Sequence, residues 1–147
     1  MYRTLLVIVA ALLLVAAGCV RQPDQAADWE IEIEGPGASL TISLAQLEEM
    51  DQTVLEIRRG DDVDEYRGVI LSAVLAQAGI TAGSEVTLEG DDGYSAQIDG
   101  QAAFSNDTIL ALEHGGEGLE DKGPVMLVSA DSPPMTWVGQ LVRIVVE

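Results

Sequence analysis

From Trp29 onward the apolar residues come in short runs, and almost every run is cut by a Gly, Pro or acidic turn before it could become a long helix. "WEIEIE" (29–34) alternates apolar and acidic side chains, the period of a strand with one buried face. Gly35-Pro36-Gly37 interrupts it and "SLTI" resumes, which predicts a hairpin. "TVLEIRR" (53–59), 66–70, "SEVTLEG", "YSAQI", "TILALEH" (108–114), "VMLV" (125–128) and 141–146 read as further strands. Two segments break the pattern. Ser43 followed by Gln46 has capping-box spacing and opens a short helix with Leu44 and Leu47 inward. Leu71, Val74, Leu75 and Ala78 share a helical face that Gly79 terminates. Many short strands with two short helices define an α+β, mostly β domain over 29–147.

The segment before this domain has a different character. "MYRTLLVIVAALLLVAAGC" carries one Arg, an apolar run from Leu5, and small residues up to Cys19. The apolar run is short for a membrane span and has the layout of a secretory signal. Ala16-Ala17-Gly18-Cys19 resembles the bacterial lipobox. That resemblance implies a signal peptide over 1–18, lipid on Cys19, a tether over 19–28 and an extracytoplasmic domain anchored to a bacterial cell membrane. Residues 20–28 reach at most ~30 Å, which keeps the domain near the bilayer. Because Cys19 is the only cysteine, its lipidation leaves no thiol for a disulfide, a metal or a nucleophile.

Charge narrows the partners. Seven basic residues against 25 acidic ones give −18, and loss of Arg3 with the signal leaves −19. Such a chain repels nucleic acid and suits a cationic or protein partner, or a solvated surface adapted to salt. Asp61, Asp62, Asp64 and Glu65 are its densest acidic stretch and read as a loop. They are weak candidates for a hard cation, because the spacing lacks the Gly and distant Glu of a calcium loop. His114, the only histidine, reads most simply as an exposed strand-end residue. Tyr66, Tyr94 and Trp137 read first as core, and with His114 and Met126 they are the candidates for a ligand pocket. No phosphate-cradling Gly loop precedes a helix, and no catalytic group is assigned.

"YRGVILSAVLAQAGI", "DDGYSAQID", "ILALEHGGEGLEDKGPVMLV" and "WVGQLVRIVV" follow one another as in the molybdopterin-binding domain of the sulfite oxidase family, which this chain resembles from 29 to 147. The resemblance implies a sulfite-oxidase-like fold and makes molybdopterin a possible cofactor. It also implies a Cys ligand to molybdenum on the loop after "TVLEIRR", where this chain has "GDDVDEY". An Arg of the phosphate anchor falls on Met126, and a further basic residue beside Trp137 is replaced by Thr136. With those groups missing, the expectation is a non-catalytic binding or accessory module without cofactor, its old cavity small or filled by side chains such as Met126 and Trp137. Two alternatives stay open: an oxidoreductase in which Asp61 or Asp64 replaces the Cys, and a surface domain that binds cations through 61–65.

Overall fold

Ile31 and Ile33 alternate with Glu30, Glu32 and Glu34 along the first strand, and both isoleucines are fully buried while the first two glutamates face solvent. The period-two pattern thus sets which side of the strand meets the core. In the computed structural model, which describes residues 28–147, this strand (β1, Glu30–Gly35) is an inner member of a five-stranded sheet. Its neighbours are β2 (Ala38–Ser43), antiparallel through the expected hairpin, and β10 (Leu141–Val146), parallel. β5 (Glu85–Gly90) and β6 (Ser95–Asp99) complete the order β2-β1-β10-β5-β6. The second sheet runs β3 (Thr53–Arg59), β4 (Asp62–Ile70), β7 (Thr108–His114) and β8 (Glu117–Gly118), with β9 (Met126–Ser129) also paired to β7.

The two sheets enclose the main core. Val86, Leu88, Leu141 and Ile144 from the first meet Val69, Leu110 and Leu127 from the second. α1 (Leu44–Glu49) starts at the Ser43–Gln46 capping box and buries Leu47. α2 (Leu71–Gln77) buries Leu71, Val74 and Leu75 and ends just before Gly79. The opposite face of the second sheet carries a smaller cluster of Leu55, Ile57, Tyr66, Ile109, Met126 and Val128, with Trp137 against it. β9 is buried along its whole length, so the four-residue apolar run in the sequence reports a strand covered on both sides. The architecture is mostly β with short helices, as the patterning implies.

Three local features differ from that patterning. Residues 62–65 are strand, not loop: the turn is confined to Gly60-Asp61, and Arg58 and Arg59 of β3 pair with Val63 and Asp62 of β4. Arg59 stands opposite Asp62 and also reaches Asp64, which offsets part of the carboxylate crowding on this edge hairpin, where Glu56 faces Glu65. A third helix, α3 (Gly100–Ala103), follows β6. At four residues it is too short to leave a periodicity, and Asp99 caps it by accepting from the Ala102 amide at 2.8 Å. β8 spans only two residues after the Gly115-Gly116 turn. The expected signal peptide (1–18), Cys19 and most of the expected tether (19–28) lie outside the described residues. Among the described residues no helix is long and apolar enough to cross a membrane.

Gly68 is required by the close approach of β4 to β7. The β4–β7 register shifts between Arg67 and Gly68, and a Cβ at 68 would stand 2.0 Å from the Leu110 carbonyl oxygen. Only a residue without Cβ lets β4 lie this close to β7. Gly68→Ala is expected to cost about 3 kcal/mol in urea unfolding. Gly37→Ala, in a turn with open space around it, should cost about 1 kcal/mol. Equal losses at the two positions would refute the close-approach explanation.

Candidate functional site

The exposed end of the smaller cluster is built around Tyr66. Register places it directly opposite His114, and the two rings stack with centroids 4.4 Å apart and planes 10° from parallel. Trp137 meets Tyr66 edge-on, at 5.8 Å and 82°. The indole is fixed by its Nε1–H, which donates to the Ser129 carbonyl at 3.1 Å. On the Trp137 ring sits Arg59, from the end of β3, its guanidinium carbon 5.3 Å from the ring centre.

Asp64 ties this group together across three strands. One carboxylate oxygen lies 3.1 Å from His114 Nε2 and the other 3.6 Å from Arg59 Nε. The first is a hydrogen bond; the second is an ion pair too long to be one. Asp64 stands two residues before Tyr66, so strand geometry puts both on the same face of β4. Burial is the main cause that pushes the Tyr66 phenol above its ordinary pKa, the charge of Asp64 adds to it, and Arg59 opposes.

These side chains wall an open cleft of about 460 Å³ lined by Arg59, Tyr66, Tyr94, Lys122, Met126 and Trp137, with Pro134 and Met135 at its rim. Tyr94 arrives from the β5–β6 turn. Its amide donates to Asp92 Oδ1 at 3.0 Å and its hydroxyl donates to the Met135 carbonyl, so the hairpin and the Pro-rich loop hold each other across the cleft. Lys122 is set by its backbone: its carbonyl accepts from the Gln140 amide at 2.9 Å. A Cβ on Gly139 would crowd Lys122 at 3.1–3.2 Å, so glycine there lets the lysine lie close. A recess of about 260 Å³ beside the cleft shares Tyr66, Lys122 and Met126 and reaches His114 and Glu117.

All five residues singled out as pocket candidates, Tyr66, Tyr94, His114, Met126 and Trp137, border this cleft or its recess. The expectation of a filled cavity is corrected: Met126, nearly buried, lines the cleft, and Trp137 is a wall held against Tyr66 and Ser129 instead of a plug. His114 is the exposed last residue of β7, as expected, and in addition its ring stacks on Tyr66 and its Nε2 meets Asp64. The acidic stretch disperses along the hairpin. Asp61 is in the turn, Asp62 and Glu65 are exposed, and Asp64 is committed to His114 and Arg59. Among the described residues no three His, Cys, Asp or Glu side chains converge in a way that could hold a metal ion. Sequence reading missed Arg59 and Lys122. Two of the five basic residues in 28–147 border one cleft, and the only signal was that Lys122 is the chain's single lysine.

Two comparisons give this two-sheet domain the sulfite-oxidase-like fold. Residues 62–147, more than half of the chain, match the model of the oxidoreductase molybdopterin binding domain, and the chain belongs to that family. Among solved structures it is similar to the sulfane dehydrogenase SoxCD from Paracoccus pantotrophus, with a TM-score of 0.71 and 21% identity. The likeness covers 82% of this chain but only 38% of that one, and at this identity it bears on the fold alone. No curated protein matches the sequence.

The donor set of the cleft does not suit a molybdenum centre held by a protein thiolate. Residues 28–147 contain no cysteine, and the side chains lining the cleft supply two thioethers, two phenols, an indole, two cations and the Asp92 carboxylate.

Because the folded Tyr66 favours its protonated form, the stability it contributes is intact below pH 10, its ordinary pKa being 10.0, and is lost as pH rises past that value toward the raised one. Thermal midpoints measured from about pH 8 to pH 11 should therefore fall more steeply for the native chain than for Tyr66→Phe. Parallel curves would show that the phenol titrates as it does in the unfolded chain.

Proposed function

We propose that the chain is a membrane-tethered, extracytoplasmic lipoprotein whose molybdopterin-binding-type domain is a non-catalytic binding or accessory module. The observation that carries this reading is the composition of the cleft: the family's architecture is retained, while no thiolate stands among residues 28–147 to ligate a metal. The retained part is a receptor-like wall of fixed aromatic rings, and these rings are locked by contacts within the protein. Pre-organisation of this kind lowers the entropic cost of holding a ligand. Tethering follows from the lipobox resemblance at Ala16-Ala17-Gly18-Cys19, which also removes the only thiol from metal chemistry.

Two measurements test the two halves of the proposal. Protein purified from its native compartment should contain no stoichiometric molybdenum by elemental analysis; one atom per chain would end the non-catalytic reading. Cys19→Ser should move the protein from the membrane fraction to the soluble fraction and abolish metabolic labelling with a fatty acid. Unchanged membrane retention would remove the lipid anchor.

A further inference from the structure

We propose that the chain forms a two-fold dimer through β3, the open edge of the second sheet, with Ile57 on the axis and Glu56 of each copy facing Arg58 of the other. β3 pairs with β4 alone, and no backbone group of Thr53–Arg59 bonds to any other described backbone group. One edge of this strand therefore leaves its outward N–H and C=O groups to water. Its side chains have charge relations that one copy does not resolve. Register sets Glu56 directly against Glu65, two exposed carboxylates on one face. Arg58, next along the same face, has no carboxylate within 4 Å among the described residues, whereas Arg59, Arg67 and Arg143 each have one. Of the four large apolar side chains left exposed among the described residues, Val54 and Val63 stand on this face, Val63 opposite Arg58.

Charged side chains on an edge normally deter strand addition, and whether they do so here depends on register. An antiparallel second copy centred on Glu56 would set two carboxylates against each other and leave Arg58 opposite Val54. Centred on Ile57, the same pairing sets Glu56 against Arg58 twice, Leu55 against Arg59 twice, and Ile57 against itself. Residues paired in this way have equal parity along the strand, so every side chain keeps the face it has in one copy. Leu55 and Ile57, which belong to the smaller apolar cluster, then meet their counterparts beneath the seam. The total charge points to the same strand. Two chains of formal charge −18 repel each other, so contact is least opposed where acidity is lowest. β3 has two Arg against one Glu, while β2 and β6, the edges of the first sheet, carry no charge and one Asp respectively.

The test is sedimentation equilibrium of the full chain in density-matched detergent at about 0.15 M salt, over roughly 1–200 µM protein. The native chain should show a monomer–dimer equilibrium with a dissociation constant on the order of 10 µM. Glu56→Arg and Arg58→Glu should each weaken association at least about tenfold, because like charges then face each other across the seam. The double exchange, Glu56→Arg with Arg58→Glu, should return it to within about threefold of native. Thr41→Arg, on the β2 edge, should leave it unchanged. Glu56→Arg also places a guanidinium opposite Glu65 within the chain, so its urea midpoint should be no lower than native, separating lost association from lost fold. A native chain that stays monomeric to about 200 µM would overturn the proposal. So would single variants that associate as the native chain does, or a double exchange that stays as weak as the singles. Thr41→Arg weakening association as strongly as the β3 variants would move the seam to β2 and overturn it as well.

Discussion

The first four residues of β7 and all of β9 have no face to give to water, and that constraint shapes everything around them. Thr108 to Ala111 and Met126 to Ser129 are buried on both sides. One side is covered by the first sheet, whose extended apolar face is large enough for the task. The other side is covered only by the β3–β4 hairpin and the connections around Leu119 and Trp137. These pieces are too small to seal it, and the gap they leave is the cleft. The site is the unfinished edge of a hydrophobic closure, which is why its floor is Met126 and its walls are aromatic.

Asp64 shows how polar chemistry is fitted to that edge. Its carboxylate reaches His114 on β7 and Arg59 on β3, and so holds the hairpin in the position where Tyr66 stacks and Trp137 receives the guanidinium. Half-exposed contacts of this sort contribute little energy singly. Their value is geometric, because four side chains from separate strands and a loop are given one arrangement. The surrounding acidity then gives Arg59 and Lys122 an importance that they would lack on a neutral surface.

The strands and the two longer helices were legible because their signals are local. Ser43 and Gln46 announce α1, Leu71, Val74 and Leu75 announce α2, and Ile31 and Ile33 alternate with glutamates. α3 and β8 carry no period and were not. Residues 62–65 were misread because four acidic residues in six suggest a solvated loop, and only pairing with Glu56 to Arg59 of β3 makes them strand. The aromatic members of the cleft stood out by their rarity in a chain that is 4% aromatic. Arg59 and Lys122 did not, since their approach depends on the β3–β4 register and on Gly139. Whether a cavity is filled or open is a property of packing that no single segment encodes.

β10 lies between β1, which it joins in parallel, and β5, which it joins antiparallel. The first strand of the domain and the strands from its middle therefore touch the same sheet only through its last strand. Until residues 141–146 are in place, β1–β2 and β5–β6 are two separate ribbons with their isoleucines, valines and leucines unprotected. Such a topology makes closure of the first sheet wait on a non-local pairing, the kind of contact whose loop-closure entropy slows folding.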